Sequence, residues 1–345
     1  MAQDKKLTEE KLTELWEDKK IKVPSTKNRK YVIFSDLHLG DGGGADDFIH
    51  NRQTMLKALE YYYKNDFTLI LLGDIEEFWQ FDFATVKKQY DDNVYSKMRE
   101  FGNDRVYRVF GNHDYEWHYP QDPAMADPKY AQGAPEALKL KYGKGEAKIL
   151  LVHGHQGNIE SDKNSWISKF VVRGFKQVEP IARFLGLYGH PSATKSQVTE
   201  DYERIMYGWA KENEVILICG HSHRAIFAAK SYAEKLRDNI DELEAINLAN
   251  RKDKKLVKKN LKIIRNKKKL LEEEKHKGRD IDPTESEVEP VPCYFNSGCG
   301  LYTDGITNLE IADGEIRLIK WHRTGTEDQQ FDVYDSMKLS DISFS

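Results

Sequence analysis

Five short segments hold most of the residues in this sequence that could do chemistry. They are Ser35-Asp36-Leu37-His38, Gly73-Asp74-Ile75-Glu76-Glu77, Gly111-Asn112-His113-Asp114, His153-Gly154-His155 and Gly220-His221-Ser222-His223. Six of the eleven histidines lie in them: His38, His113, His153, His155, His221 and His223. Asp, Asn and His supply carboxylate and amide oxygens and imidazole nitrogens, a donor set suited to divalent cations. In Asp36-x-His38 and His221-x-His223 the donors stand two positions apart, which in extended backbone turns both to one face. Histidines scattered through a core would not gather in this way. The residue types point to chemistry at bound metal.

Each segment directly follows an apolar run. The runs are Tyr31–Phe34, Thr68–Leu72, Val106–Phe110, Lys148–Val152 and Glu214–Cys219. They are rich in β-branched and aromatic residues and bounded by Gly or Asp, so they read as buried strands. A helix is expected around 54–64, and strands alternating with helices suggest an α/β sheet of mixed direction. Ligands of such sheets bind beyond the carboxyl ends of the strands, where these five segments fall. Near the C-terminus, Asp313-Gly314 separates two alternating runs and predicts a hairpin.

The five segments, in this order, resemble the signature of the calcineurin-like metallophosphoesterases: DxH, GDxx(D/E), GN(H/R)(D/E), a single His–Gly, and GHxH. The resemblance covers residues 30–155 and 213–224, with a continuation at 293–322. It implies an α/β/β/α sandwich with mixed sheets and two divalent metal ions, manganese first, with iron and zinc as alternatives. By motif position Asp36, His38 and His223 would hold one ion, and Asn112, His153 and His221 the other. Asp74 would bridge them, because a shared carboxylate offsets the repulsion of two cations about 4 Å apart. The pair would generate a bridging hydroxide near neutral pH. His113 would stabilise developing charge or protonate the leaving oxygen. Asp114 would orient His113. His155 fits no ligand position and is read as a supporting or substrate contact. Arg224 is read as a phosphate clamp, since guanidinium binds phosphate in a bidentate way.

Gly73-Asp74-Ile-Glu-Glu77-Phe78-Trp79 and Gly220-His-Ser-His-Arg224 are similar to the branch that contains the UDP-2,3-diacylglucosamine pyrophosphatases. That branch carries an apolar helical cap after the fourth motif, where this chain has its insertion 158–211. His113, His155 and Ala225 stand where that branch has Arg, Asp and Pro.

The organisation that follows is an N-terminal helical extension over 1–29 and a catalytic domain over 30–345. Two insertions interrupt the domain, the helical cap 158–211 and a charged helical hairpin 228–290. In the first helix Leu7, Leu12, Leu15 and Trp16 recur at helical spacing, and Pro24 ends the pattern. Between Arg251 and Arg279 fourteen Lys or Arg face four Asp or Glu, so the hairpin is a candidate site for a polyanion or protein partner. The whole chain has a formal charge of only −4, so partners must be sought in such local clusters. Three cysteines in 345 residues argue against a disulfide framework. No run of apolar residues is long enough to span a membrane, and the first twenty residues lack the apolar core of a signal peptide. The expectation is a cytoplasmic dinuclear-metal hydrolase of a phosphodiester, pyrophosphate or phosphomonoester. A nuclease using the basic hairpin and a non-catalytic binding module are the competing readings.

Overall fold

The computed structural model describes residues 2–21, 30–118, 120, 122–126, 134–141, 149–157, 193–251, 253–276, 290–324 and 330–344. Two six-stranded mixed sheets form its centre. In the first, β1 (Tyr31–Phe34), β2 (Thr68–Leu72) and β3 (Val106–Val109) run parallel. The chain's last strands extend that sheet antiparallel from β1: β10 (Gly305–Ala312), β11 (Glu315–His322) and β12 (Phe331–Lys338). The second sheet is ordered β4 (Ala137–Leu140), β5 (Ile149–Val152), β6 (Ile216–Cys219), β9 (Tyr294–Ser297), β7 (Ala225–Phe227) and β8 (Lys230–Ser231). The expected Asp313-Gly314 turn joins β10 to β11, with φ of 52° and 91°. Only residues tolerant of left-handed backbone can take both positions.

β1, β2, β5 and β6 are apolar on both faces because both sides of the sheet are covered where they lie. Tyr31 and Ile33, Ile70 and Leu72, Ile149 and Leu151, and Ile216 and Ile218 meet in the layer between the sheets. Their alternates point outward. Val32, Phe34, Leu69 and Leu71 pack under α2 (Arg52–Lys64), α3 (Phe83–Tyr90) and α4 (Ser96–Glu100). Leu150, Val152, Leu217 and Cys219 pack under α1 (Ala2–Glu17) and α5 (Ala193–Glu212). This is the α/β/β/α layering, and each such fully buried aliphatic side chain contributes about 1.5–3 kcal/mol.

The N-terminal helix is part of this core. Leu12 is fully buried beside Trp209 of α5. The Trp209 indole donates to Thr13 at 3.0 Å, and Lys139 of β4 caps the end of α1 at the Trp16 and Asp18 carbonyls. The 228–290 insertion is a helical pair, α6 (Tyr232–Ala249) and α7 (Lys254–His276), with Ser231 and Glu234 forming a capping box at its start. Its seam is small: Leu236, Ile240, Ile264 and Leu271, with Leu243 beside them. The apolar first half of the 158–211 insertion lies outside the described residues, and α5 is its return helix. The three cysteines are buried, and none forms a disulfide among the described residues. Among the described residues no helix is long and apolar enough to cross a membrane.

Candidate metal centre

All five segments sit at the carboxyl ends of their strands and converge where the two sheets meet. β1, β2 and β3 deliver Asp36, His38, Asp74, Asn112 and His113; β5 and β6 deliver His153, His221 and His223. The sheets are stitched together at this point. The His221 amide donates to both oxygens of Asp36, at 3.1 and 2.9 Å, and His153 Nδ1 donates to the Leu72 carbonyl at 2.8 Å. Ser35 bonds Ser297 across the seam at 2.7 Å.

The backbone is bent to aim these groups. Asp36, His38, Asp74, His221 and His223 all have φ between 51° and 68°. Left-handed backbone on residues with a β-carbon is sparsely populated, at a cost of order 1–3 kcal/mol each. The adjoining glycines clear the space. A β-carbon on Gly111 would come within 2.2 Å of Asp74 Oδ1, and one on Gly220 within 2.5 Å of Asp36 Oδ2.

The side chains assemble in three groups, each with one donor atom per residue within 4.8 Å of the others: Asp36, His38 and His223; Asp74, His153 and His221; and His38, Glu77 and His113. His223 Nε2 lies 3.3 Å from Asp36 Oδ1 and 3.2 Å from His38 Nε2. His153 Nε2 lies 3.0 Å from Asp74 Oδ2, without hydrogen-bond geometry. Because Nδ1 of His153 is committed to a carbonyl, its Nε2 lone pair faces the cluster. That nitrogen and Asn112 Oδ1 are both buried and have no hydrogen-bond partner. A buried acceptor without a partner calls for an ion or a donor. The residues therefore fit divalent metal. Asp36, Asp74 and His153 are sealed from solvent, whereas the His223 and His113 side chains are 39% and 21% exposed and mark the open side.

The charges are mutually dependent. Burial opposes ionisation of Glu77, yet His113 and His38 hold its carboxyl down to about 2. Burial likewise disfavours imidazolium at His113 and His153, but Glu77 and Asp74 carry the first up to about 9, and Asp74 and Asp36 carry the second to about 10. Burial and the charge on His153 push His221 down to about 3. An anionic nest of this kind collects protons until cations replace them.

Several expectations are redirected by this geometry. Asp114 does not orient His113. It is fully buried and turned inward, accepting the Gly111 amide at 2.6 Å and the Ile75 amide at 2.8 Å. Burial and the charges of Glu76 and Asp74 raise it to about 7. The partner of His113 is Glu77, whose oxygens lie 2.9 and 2.8 Å from His113 Nδ1 and whose Oε2 also lies 2.9 Å from His38 Nδ1. One carboxylate thus sets two imidazoles, and the sequence signal was the acidic position that closes the second motif. Trp79 stacks on His113 at 3.9 Å and 18°. Its indole donates to the Asn112 carbonyl at 2.8 Å. Arg224 is not a free clamp: Glu203 of α5 binds its Nε at 3.2 Å and its Nη2 closely. His155 lies beneath the cluster rather than on its open side. It is 5% exposed, its ring is 5.6 Å from that of His153, and its Nδ1 has no hydrogen-bond partner.

Below the loops a buried network fixes their bases. Glu76 accepts from Arg108 at 2.6 and 3.1 Å, from Trp117 at 2.6 Å and from Tyr95 at 2.8 Å. Arg108 also lies 3.8 Å from Asp114, so it ties the second motif to the third.

A family model for calcineurin-like phosphoesterases matches residues 29–225, more than half of the 345. A sequence search of curated proteins returned no match.

Proposed function

Because the chain belongs to the calcineurin-like phosphoesterase family, whose members are metal-dependent phosphoric ester hydrolases, we propose that it hydrolyses a phosphodiester or pyrophosphate at two divalent cations. Asp36, His38 and His223 would hold one, Asn112, His153 and His221 the other, and Asp74 both. The observation that carries this reading is the pair of adjoining donor groups, Asp36, His38 and His223 and Asp74, His153 and His221, each within 4.8 Å, with the buried His153 Nε2 left without a hydrogen-bond partner. When bound, the cations supply Lewis-acid polarisation of the ester and activation of water near neutral pH.

The chain's own groups do the rest. The Glu77 carboxylate receives Nδ1–H of His113 and leaves Nε2 to pass a proton to the departing oxygen. Trp79 restrains the plane of that ring, and Asp114 steadies the loop that carries it. The open side at His113 and His223 admits the ester, while the sealed floor keeps bulk water from Asp36, Asp74 and His153. Manganese fits this oxygen and imidazole donor set, as do iron and zinc. Trp79 in the second motif and the position of the insertion 158–211 are shared with the UDP-2,3-diacylglucosamine pyrophosphatase branch, whereas His113, His155 and Ala225 depart from it, so the likeness supports phosphoester hydrolysis and not that particular lipid precursor.

Metal analysis of purified protein, followed by Mn²⁺-loaded assays on bis-p-nitrophenyl phosphate, p-nitrophenyl phosphate and a UDP-linked pyrophosphate, tests the proposal. About two equivalents of metal and turnover of the diester or pyrophosphate support it. Protein that takes up no metal, or that turns over neither the diester nor the pyrophosphate, refutes it.

A further inference from the structure

The helix α7 carries nine Lys and Arg and no Asp or Glu between Lys254 and Leu271. At 3.6 residues per turn this run has two faces. Asn260, Ile264 and Leu271 are buried toward α6. Lys254, Lys255, Lys258, Lys259, Lys262 and Arg265 are all exposed and lie on the side turned away from them. None of these six forms an ion pair among the described residues, in contrast to Lys268, which Glu244 of α6 neutralises at 2.8 Å. The six extend over eleven residue steps, about 17 Å of helix at 1.5 Å each. A straight row of unneutralised cations repels itself, and nothing in the hairpin requires it: the seam is complete without them.

We propose that this face of α7 docks double-stranded nucleic acid along its phosphate backbone. A duplex presents one negative charge per about 1.7 Å of axis, so a rigid basic rod of this length meets a matching row of anions. The composition of the face favours a duplex over the other anionic surfaces. The helix has no Trp, Tyr or Phe, so unstacked bases of a single strand would find no platform. Its apolar stripe is spent on α6, which leaves no continuous apolar face to enter a lipid surface. Leu261 and Leu270 are exposed singly at its flanks. The contacts are to phosphate and carry no base readout, so binding is indifferent to sequence. The inference deepens the phosphodiester reading above by placing its substrate class among nucleic acids, but the docking face stands on α7 alone.

Fluorescence anisotropy of the full-length protein with a 20-base-pair duplex, at several salt concentrations, tests it. With six phosphates neutralised, log affinity should fall against log salt with a slope of about −5. The variant Lys255→Gln/Lys258→Gln/Lys262→Gln should lose about three units of that slope. Lys258→Glu/Arg265→Glu should abolish binding at the salt concentration where the wild type still binds. Circular dichroism melts establish that both variants fold. A duplex affinity that the triple substitution leaves unchanged overturns the proposal. So does preference for a single strand, or for vesicles of phosphatidylserine in phosphatidylcholine. Hydrolysis of bis-p-nitrophenyl phosphate, measured on the same preparations, should be the same in wild type and variants. Duplex binding without hydrolysis refutes the active-site reading alone, and hydrolysis without duplex binding refutes the docking face alone.

Discussion

The metal loops and the α6–α7 hairpin show two opposite ways of placing charge. At the loops, carboxylates and imidazoles from five strands are mostly buried, several of them on left-handed backbone, and individually aimed. Most have a neighbour that fixes them, and two buried acceptors among them, Asn112 Oδ1 and His153 Nε2, have no hydrogen-bond partner. On the hairpin, cations stand on a plain helical face in water, anchored by a seam of four buried side chains. Burial makes the first arrangement specific, because every buried charge needs a partner of defined geometry. Exposure makes the second additive: each lysine contributes a little, and none is irreplaceable. Single substitutions should therefore be severe in one region and mild in the other.

The largest effect is expected from Asp74→Asn. A neutral amide cannot offset two cations, so hydrolysis should fall at least a thousandfold, on the order of the loss of a major electrostatic group, and metal content should drop with it. Full metal occupancy with near-normal turnover would break the comparison at its strongest point. Next is His113→Ala, which should retain metal and lose about two to four orders of magnitude in rate. The loss should be smaller for p-nitrophenyl esters, whose leaving group needs little protonation. Loss of metal in this variant would make His113 a ligand.

Glu77→Gln should be milder. Its amide keeps one acceptor oxygen but loses the negative charge, and its other arm turns a donor toward the imidazoles. A 10- to 100-fold loss of Mn²⁺ affinity or activity is expected, the usual scale for a group that orients metal ligands. Unchanged Mn²⁺ titration and rate would remove Glu77 from the site. The smallest effect on catalysis should follow Ile264→Ala in the hairpin seam. Such a truncation costs about 2–5 kcal/mol locally. Hydrogen exchange should quicken across α6 and α7 while kcat on small esters stays at the wild-type value. A drop in kcat would show that the hairpin supports the site.

The contrast also explains what the sequence could reveal. The strand ends were legible because Asp, Asn and His interrupt apolar runs at fixed offsets, and a bend beyond a strand has to put them somewhere. The burial of β1, β2, β5 and β6 was legible because both of their alternate sets are apolar, whereas the α/β/β/α layering followed from the family resemblance. The role of Asp114 was misread from its adjacency to His113. Successive residues of a tight loop point apart, and Asp114 turns in to satisfy two amides. The partner of His113 stands thirty-six positions earlier, a pairing that only the parallel alignment of β2 and β3 creates. Arg224 looked available because Glu203 lies on another element. β12 went unseen because Asp332, Asp335 and Ser336 break its pattern. As an edge strand it pairs with β11 on one side only, and its side chains are half-buried or exposed.

The first sheet closes late along the chain. Tyr31 of β1 pairs with Ile311 of β10, 311 − 31 = 280 positions apart. A ribosome adding about 5–20 residues per second would need tens of seconds to cover that distance. Throughout that interval β1 has β2 on one side and an open ladder on the other, ready to accept any passing strand. The loop bearing Asp36 and His38 leaves from the end of that unfinished strand, and it takes the Gly300 amide at the Asp36 carbonyl only after the second insertion has been made. Maturation should thus be slow and sensitive to temperature and chaperone supply. Metal added during synthesis should serve only chains whose last strands have already been threaded into place.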